Sequence, residues 1–173
     1  MRFFFYGLLS DVETLDIVLG RPAPEGPWLP ARLADRRLVR LRGDSYPLLV
    51  AAPGETVPGF VVEGLGPEDR NRIGFYESVE YAPQTVRVTL GNGTPLEALA
   101  FSTGERAVID PTPWSFEEWR RHHKARDLRE AELWMSLYGH LDIETADRLW
   151  DRALESGESL ESLVTRITGR SGA

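Results

Sequence analysis

Met1-Arg2-Phe3-Phe4-Phe5-Tyr6-Gly7-Leu8-Leu9 opens the chain with an apolar, aromatic run that breaks at a glycine and turns polar at Ser10-Asp11. Aromatic side chains suit a pleated, buried surface, so residues 2–6 read as a first strand. The run is too short to span a membrane and no small-residue cleavage site follows it, so a soluble intracellular protein is expected. From Asp11 to Leu19 the apolar Val12, Leu15, Val18 and Leu19 recur at helical spacing, and Gly20 supplies a stop. A strand that ends in glycine and feeds a helix turns backbone N–H groups outward, and such a loop suits a carboxylate. The competing reading of Gly7 is a plain turn.

Outward from that opening, short strands alternate with Gly and Pro. Residues 21–27 form a loop by composition, and Ala31–Leu41 is weakly strand-like. Two further apolar runs follow: Tyr46–Ala51, bounded by Gly43-Asp44 and Pro53-Gly54, and Val57–Glu63. Pro67–Tyr76 has helical composition. Thr85–Leu90 alternates as a half-buried strand, and Gly91-Asn92-Gly93 turns it into a hairpin with Leu96–Phe101. The composition changes at Asp110-Pro111-Thr112-Pro113. Ser115 with Glu118 is a capping box that predicts a helix running to about Tyr138. A second helix starts at Asp142 or Thr145 and closes at Gly157, and a third covers Ser159–Ile167. The whole reads as an α+β body over residues 1–109 with a helical extension over 110–173, packed on the body or at a homodimer seam. Trp119, Trp134 and Trp150 are expected to pack these helices.

The chain has 173 residues, enough to bury a core without staples, and no cysteine, which removes disulfides, thiolate nucleophiles and cysteine metal sites. A net charge of −7 argues against a nucleic-acid partner. There is no phosphate-cradling glycine loop and no Gly-x-Ser-x-Gly elbow. His122 and His123 point about 100° apart on a helix and do not share one metal easily. His140 falls just past a helix end. No metal and no cofactor is expected.

The candidate acid lies in Ile73-Gly74-Phe75-Tyr76-Glu77-Ser78-Val79-Glu80-Tyr81, where a helix should return into a strand. A carboxylate among rings loses solvation, and its pKa rises towards neutrality, as a general base needs. The competing reading of Glu77 is an exposed helix-end glutamate. Glu80 ranks below it. Arg87 alternates with Val86 and Val88 and is expected in solvent.

These features, in this order, resemble the γ-glutamylcyclotransferase-like superfamily in a bacterial form with a C-terminal helical extension. Tyr6-Gly7-Leu8-Leu9 is similar to its opening signature, Tyr46-Pro47 and Val57-Pro58-Gly59 to its next two, and Glu77 with Tyr81 and Val86-Arg87-Val88 to its acid and following strand. The resemblance covers roughly residues 2–103 and implies a small mixed β-barrel-like sheet with edge helices. It implies intramolecular aminolysis of a γ-glutamyl amine or peptide to 5-oxoproline, in the cytoplasm, with Glu77 as general acid/base. Tyr6, Gly7, Leu8, Leu9, Tyr46 and Tyr81 are then expected to contact substrate. Two departures stand out: Leu8 occupies a position where relatives often carry Ser or Thr, and Ile73-Gly74-Phe75-Tyr76-Glu77-Ser78 has Gly74 and Ser78 where they often carry Asp and Gly around the acid. A non-catalytic small-molecule-binding or regulatory module on the same fold is the alternative. A third possibility is an interaction protein working through the aromatic helices.

Overall fold

The computed structural model describes residues 1–169, so residues 170–173, which the sequence reading assigned to the helical extension, lie outside the described residues. Strand β1 (Phe3–Phe5) leads through a single 3-10 turn (Gly7–Ser10) into helix α1 (Val12–Leu19). Strands β2 (Leu29–Leu41) and β3 (Pro47–Val62) form a long antiparallel hairpin, and helix α2 (Pro67–Tyr76) follows. Strands β4 (Tyr81–Leu90) and β5 (Pro95–Thr103) form the second hairpin.

Five strands close into a barrel. β3 pairs with β1, β1 runs parallel to β5, β5 pairs with β4, β4 with β2, and β2 returns to β3. Closure leaves none of the five as a bare edge. Period-two alternation along β1 sorts its rings. Phe4 and Tyr6 enter the barrel core with Leu33, Val57 and Val88, whereas Phe3 and Phe5 join a second core under the helices. The opening run is therefore buried on both faces, which explains its unbroken hydrophobicity.

Three expectations change. The two apolar runs at 46–51 and 57–63 are one strand, because Pro53-Gly54 is a bulge rather than a break. Gly54 and Asp35 both adopt left-handed backbone (φ +83° and +56°), the Asp35 carboxylate accepts the Gly54 N–H at 2.8 Å, and the register shifts between Ala34 and Arg36. Next, residues 110–113, read as the start of the extension, belong to strand β6 (Ile109–Pro113) on the edge of β2. The helical region begins after it.

Finally, the long helix predicted from Ser115 is two: α3 (Phe116–His122) and α4 (Lys124–Ser136), bent at His123 (φ −122°). The bend brings Trp119 against Asp127, whose buried carboxylate accepts the indole N–H and the Ser45 hydroxyl, each at 2.8 Å. Ser115 still caps, accepting the Glu118 N–H.

Helices α5 (Ile143–Ser156) and α6 (Leu160–Thr168) start on the side-chain caps Asp142 and Ser159 and end at left-handed Gly157 and Gly169. They pack on the body. Leu133, Trp134, Ala146 and Val164 share one core with Phe3, Leu9 and Leu15. Lys124, the only lysine, pins α4 to the cap of α1 through Asp11 at 2.7 Å. Among the described residues no helix is long and apolar enough to cross a membrane.

Candidate active site

Helix α2 is built to stop at Tyr76. It begins on Gly66, with proline in its first turn and the Asp69 carboxylate accepting the Gly66 N–H at 2.8 Å. Its last residues are apolar towards the core, with Ile73 and Phe75 buried. Glu77 is the C-cap, its N–H donating to the Ile73 carbonyl at 3.0 Å. Ser78 then takes a left-handed conformation (φ +58°), and β4 starts at Tyr81. The chain thus reverses around Glu77 and leaves its side chain at the wall of a cavity of about 160 Å³.

Tyr6, Leu8, Leu9, Tyr46 and Tyr81 line the same cavity as Glu77. Two segments seventy residues apart converge because β1 lies beside β5, the hairpin partner of the strand that Glu77 precedes. Gly7 does not line the cavity. Its backbone is left-handed (φ +70°), and a Cβ placed on it would overlap the ring of Pro47. The missing side chain makes room for Pro47.

Glu77 is half-buried by area, its open side facing the cavity, and protein surrounds its carboxyl otherwise. Burial pushes its pKa up to about 8, with no cation or hydrogen-bond donor offsetting the rise. The charged form of Glu77 in turn raises Tyr6 and Tyr81, after the larger effect of their own burial. These tyrosines are engaged. Tyr6 donates to the Phe101 carbonyl, Tyr81 donates to the Pro47 carbonyl at 2.9 Å, and Tyr46 reaches the Glu130 carboxylate at 3.4 Å. Their rings wall the cavity; the Tyr6 and Tyr81 protons tie strands of the barrel together, and the Tyr46 proton reaches across to α4.

Sequence reasoning missed most of the remaining lining of this cavity, although it weighed Glu80 as the lesser acid. Tyr76 and Trp150 line the cavity, and so do Glu80, Glu130, Asp147 and Asp151. Asp151 is raised by burial and then by Asp147; Glu80 is raised by burial, partly opposed by a hydrogen bond with Ser78. Three of these residues sit on α5, beyond the stretch that carries the resemblance, and nothing in their local spacing marks them. His122, His123 and His140 are not among the cavity residues. Arg87 is exposed, as its alternation implies.

The family described as Gamma-glutamyl cyclotransferase, AIG2-like, matches residues 3–121. Among similar proteins, AIG2-like protein C of Arabidopsis thaliana is 29% identical over 175 residues, covering 92% of this chain and 94% of its own. AIG2-like protein D of the same plant is 30% identical over 124 residues, covering 69% of this chain and 79% of its own. A solution structure of an Arabidopsis thaliana protein superposes with a TM-score of 0.56 at 26% identity, covering 75% of this chain and 78% of that one.

Proposed function

The chain belongs to the gamma-glutamyl cyclotransferase, AIG2-like family, and from that premise we propose that it converts a γ-glutamyl amine or peptide into 5-oxoproline and the free amine, with Glu77 as general base and then general acid. The observation that carries this reading is the placement of Glu77: a carboxyl raised to about 8, facing the cavity that Tyr6, Leu8 and Leu9 also line.

The substrate brings its own nucleophile. The Glu77 carboxylate takes a proton from the α-ammonium of the γ-glutamyl group, and the freed nitrogen attacks the γ-carbonyl carbon, closing a five-membered ring. The tetrahedral intermediate collapses as Glu77 returns its proton to the leaving nitrogen, and the ring nitrogen gives up its second ammonium proton, which the released amine takes up, so that a lactam N–H and an ammonium result. One C–N bond forms and one breaks, and no serine, thiol or cofactor is needed. A carboxyl raised to about 8 lies much closer to an α-ammonium than an ordinary carboxylate does, so the proton transfer between them meets a smaller opposing driving force. Ring closure is unimolecular, and holding the chain folded supplies much of the rate. The Tyr6–Leu9 backbone is where the α-carboxylate or the developing oxyanion would be met.

Binding without turnover is the second reading. Leu8 favours it, being an apolar side chain buried at the cavity wall where the resemblance leads one to expect a hydroxyl. The test is incubation with a panel of γ-glutamyl amines and dipeptides, following 5-oxoproline by mass spectrometry. Product from the wild type and none from Glu77→Gln with an unchanged dichroism spectrum is expected. A panel that raises the melting temperature yet yields no product would replace catalysis with binding.

A further inference from the structure

We propose that the helical extension positions the acid: Asp147 on α5 grips Ser78, and through it holds Glu77 against the cavity. The inference rests on the reading of Glu77 as the acid–base group and goes beyond it by giving the extension a part in the site.

Ser78 follows Glu77 directly and has φ +58°. Among the described residues only one other non-glycine residue, Asp35 at the bulge, is left-handed. A residue with a Cβ adopts this conformation when its surroundings hold it there. At Ser78 the holding contact is long-range: its hydroxyl donates to the Asp147 carboxylate at 2.7 Å, across 69 residues of sequence.

Asp147 is a rigid anchor. Its neighbour Ala146 is fully buried in the core beneath the helices, and Trp150, one turn on, meets Trp134 edge to face at 5.2 Å. A second tie comes from α4, where the Trp134 indole N–H donates at 2.9 Å to the Phe75 carbonyl, which also accepts the Ser78 N–H at 3.2 Å. The extension therefore grips the corner on both sides of Glu77, two residues before it and one residue after it.

The charges facing Ser78 suit this role. Glu80 on its own segment and Asp147 and Asp151 on α5 are all carboxylates, and none of the three forms an ion pair among the described residues. Of these, Asp147 and Glu80 are within reach of the Ser78 hydroxyl, which donates its single proton to Asp147 at 2.7 Å. Without the clamp, residues 77 and 78 relax to ordinary backbone angles and the Glu77 carboxyl swings towards water. Turnover then falls through kcat, with KM little changed.

The test uses the full chain carrying Asp147→Ala, Asp147→Asn, Ser78→Gly and the pair Ser78→Gly/Asp147→Ala, each checked for a native dichroism spectrum. Asp147→Ala should lower kcat by about tenfold, and Asp147→Asn, which keeps an acceptor, should recover most of that loss. In the Ser78→Gly background the hydroxyl is gone, so Asp147→Ala should cost nothing further. An equal cost in both backgrounds overturns the proposal. A titration of labelled glutamate carboxyls by NMR decides independently of turnover. The Glu77 carboxyl, near 8 in the wild type, should drop towards the ordinary carboxylate range in Asp147→Ala, and an unchanged value overturns the clamp. If Glu77→Gln still turns over substrate, the acid–base reading fails, and the titration still judges the clamp.

Discussion

Gly7 and Pro47 occupy the same small space: a Cβ on Gly7 would overlap the proline Cγ. Pro47 also accepts the Tyr81 hydroxyl at 2.9 Å. One proline thus joins the loop after β1 to the first residue of β4, and this junction forms the rim of the cavity. The Tyr-Gly and Tyr-Pro pairs in the sequence are two halves of one contact.

Gly7→Ala should therefore be destabilising, since it combines a left-handed backbone with overpacking against a ring. Together these should cost at least about 2 kcal/mol. Chemical denaturation should show a lower midpoint with an unchanged slope, and a midpoint within error of wild type would disprove the contact's importance.

Tyr81→Phe removes the proton that satisfies the Pro47 carbonyl while leaving the ring in place. A loss of about 1 kcal/mol in stability is expected. Because the hydroxyl is committed to the barrel rim, KM for any γ-glutamyl substrate should change less than twofold. A large rise in KM without a stability loss would show that the hydroxyl serves substrate instead.

Glu77 links stability to pH. Its carboxyl has a folded pKa of about 8 against a reference value of 4.5, so between these values the folded state binds more protons than the unfolded one. Stability then falls as pH rises through this window and levels off above it. Glu77→Gln abolishes the effect: its stability should match wild type near pH 4 and exceed it near pH 9 by roughly 3–5 kcal/mol. Turnover has the opposite slope, because the base must be ionised, so kcat/KM should climb as pH rises towards 8. Parallel denaturation curves for the two proteins at both pH values would refute the buried-carboxyl account.

Trp134 both stacks on Phe75, with ring centroids 5.1 Å apart, and donates to the Phe75 carbonyl. Trp134→Ala should cost about 3–5 kcal/mol and loosen the Glu77 corner. Removing residues 112–173 should abolish cooperative thermal unfolding, because Phe3, Leu9 and Leu15 would lose the other half of their core. A truncated chain that still melts cooperatively would mean the body folds alone.

Patterns of nearest neighbours were readable from the residues. The alternation in Val86-Arg87-Val88, the Gly91-Asn92-Gly93 turn, the Asp142 and Ser159 caps and the stop at Gly157 each depend on contacts within a few positions, and each appears where its chemistry puts it. The location of the acid at a helix end was legible for the same reason. Closure of the barrel was not, since the bulge at Asp35 and Gly54 that keeps β3 continuous arises between strands. Nor was the bend at His123, which follows from Trp119, Asp127 and Ser45 meeting across the fold. Asp147 and Trp150 line the cavity together with Tyr6 because α5 is buried through Ala146 in the core that β1 begins. Local order encodes periodicity and caps; convergence of distant side chains follows from which apolar faces are buried together, and that is settled when the whole chain packs.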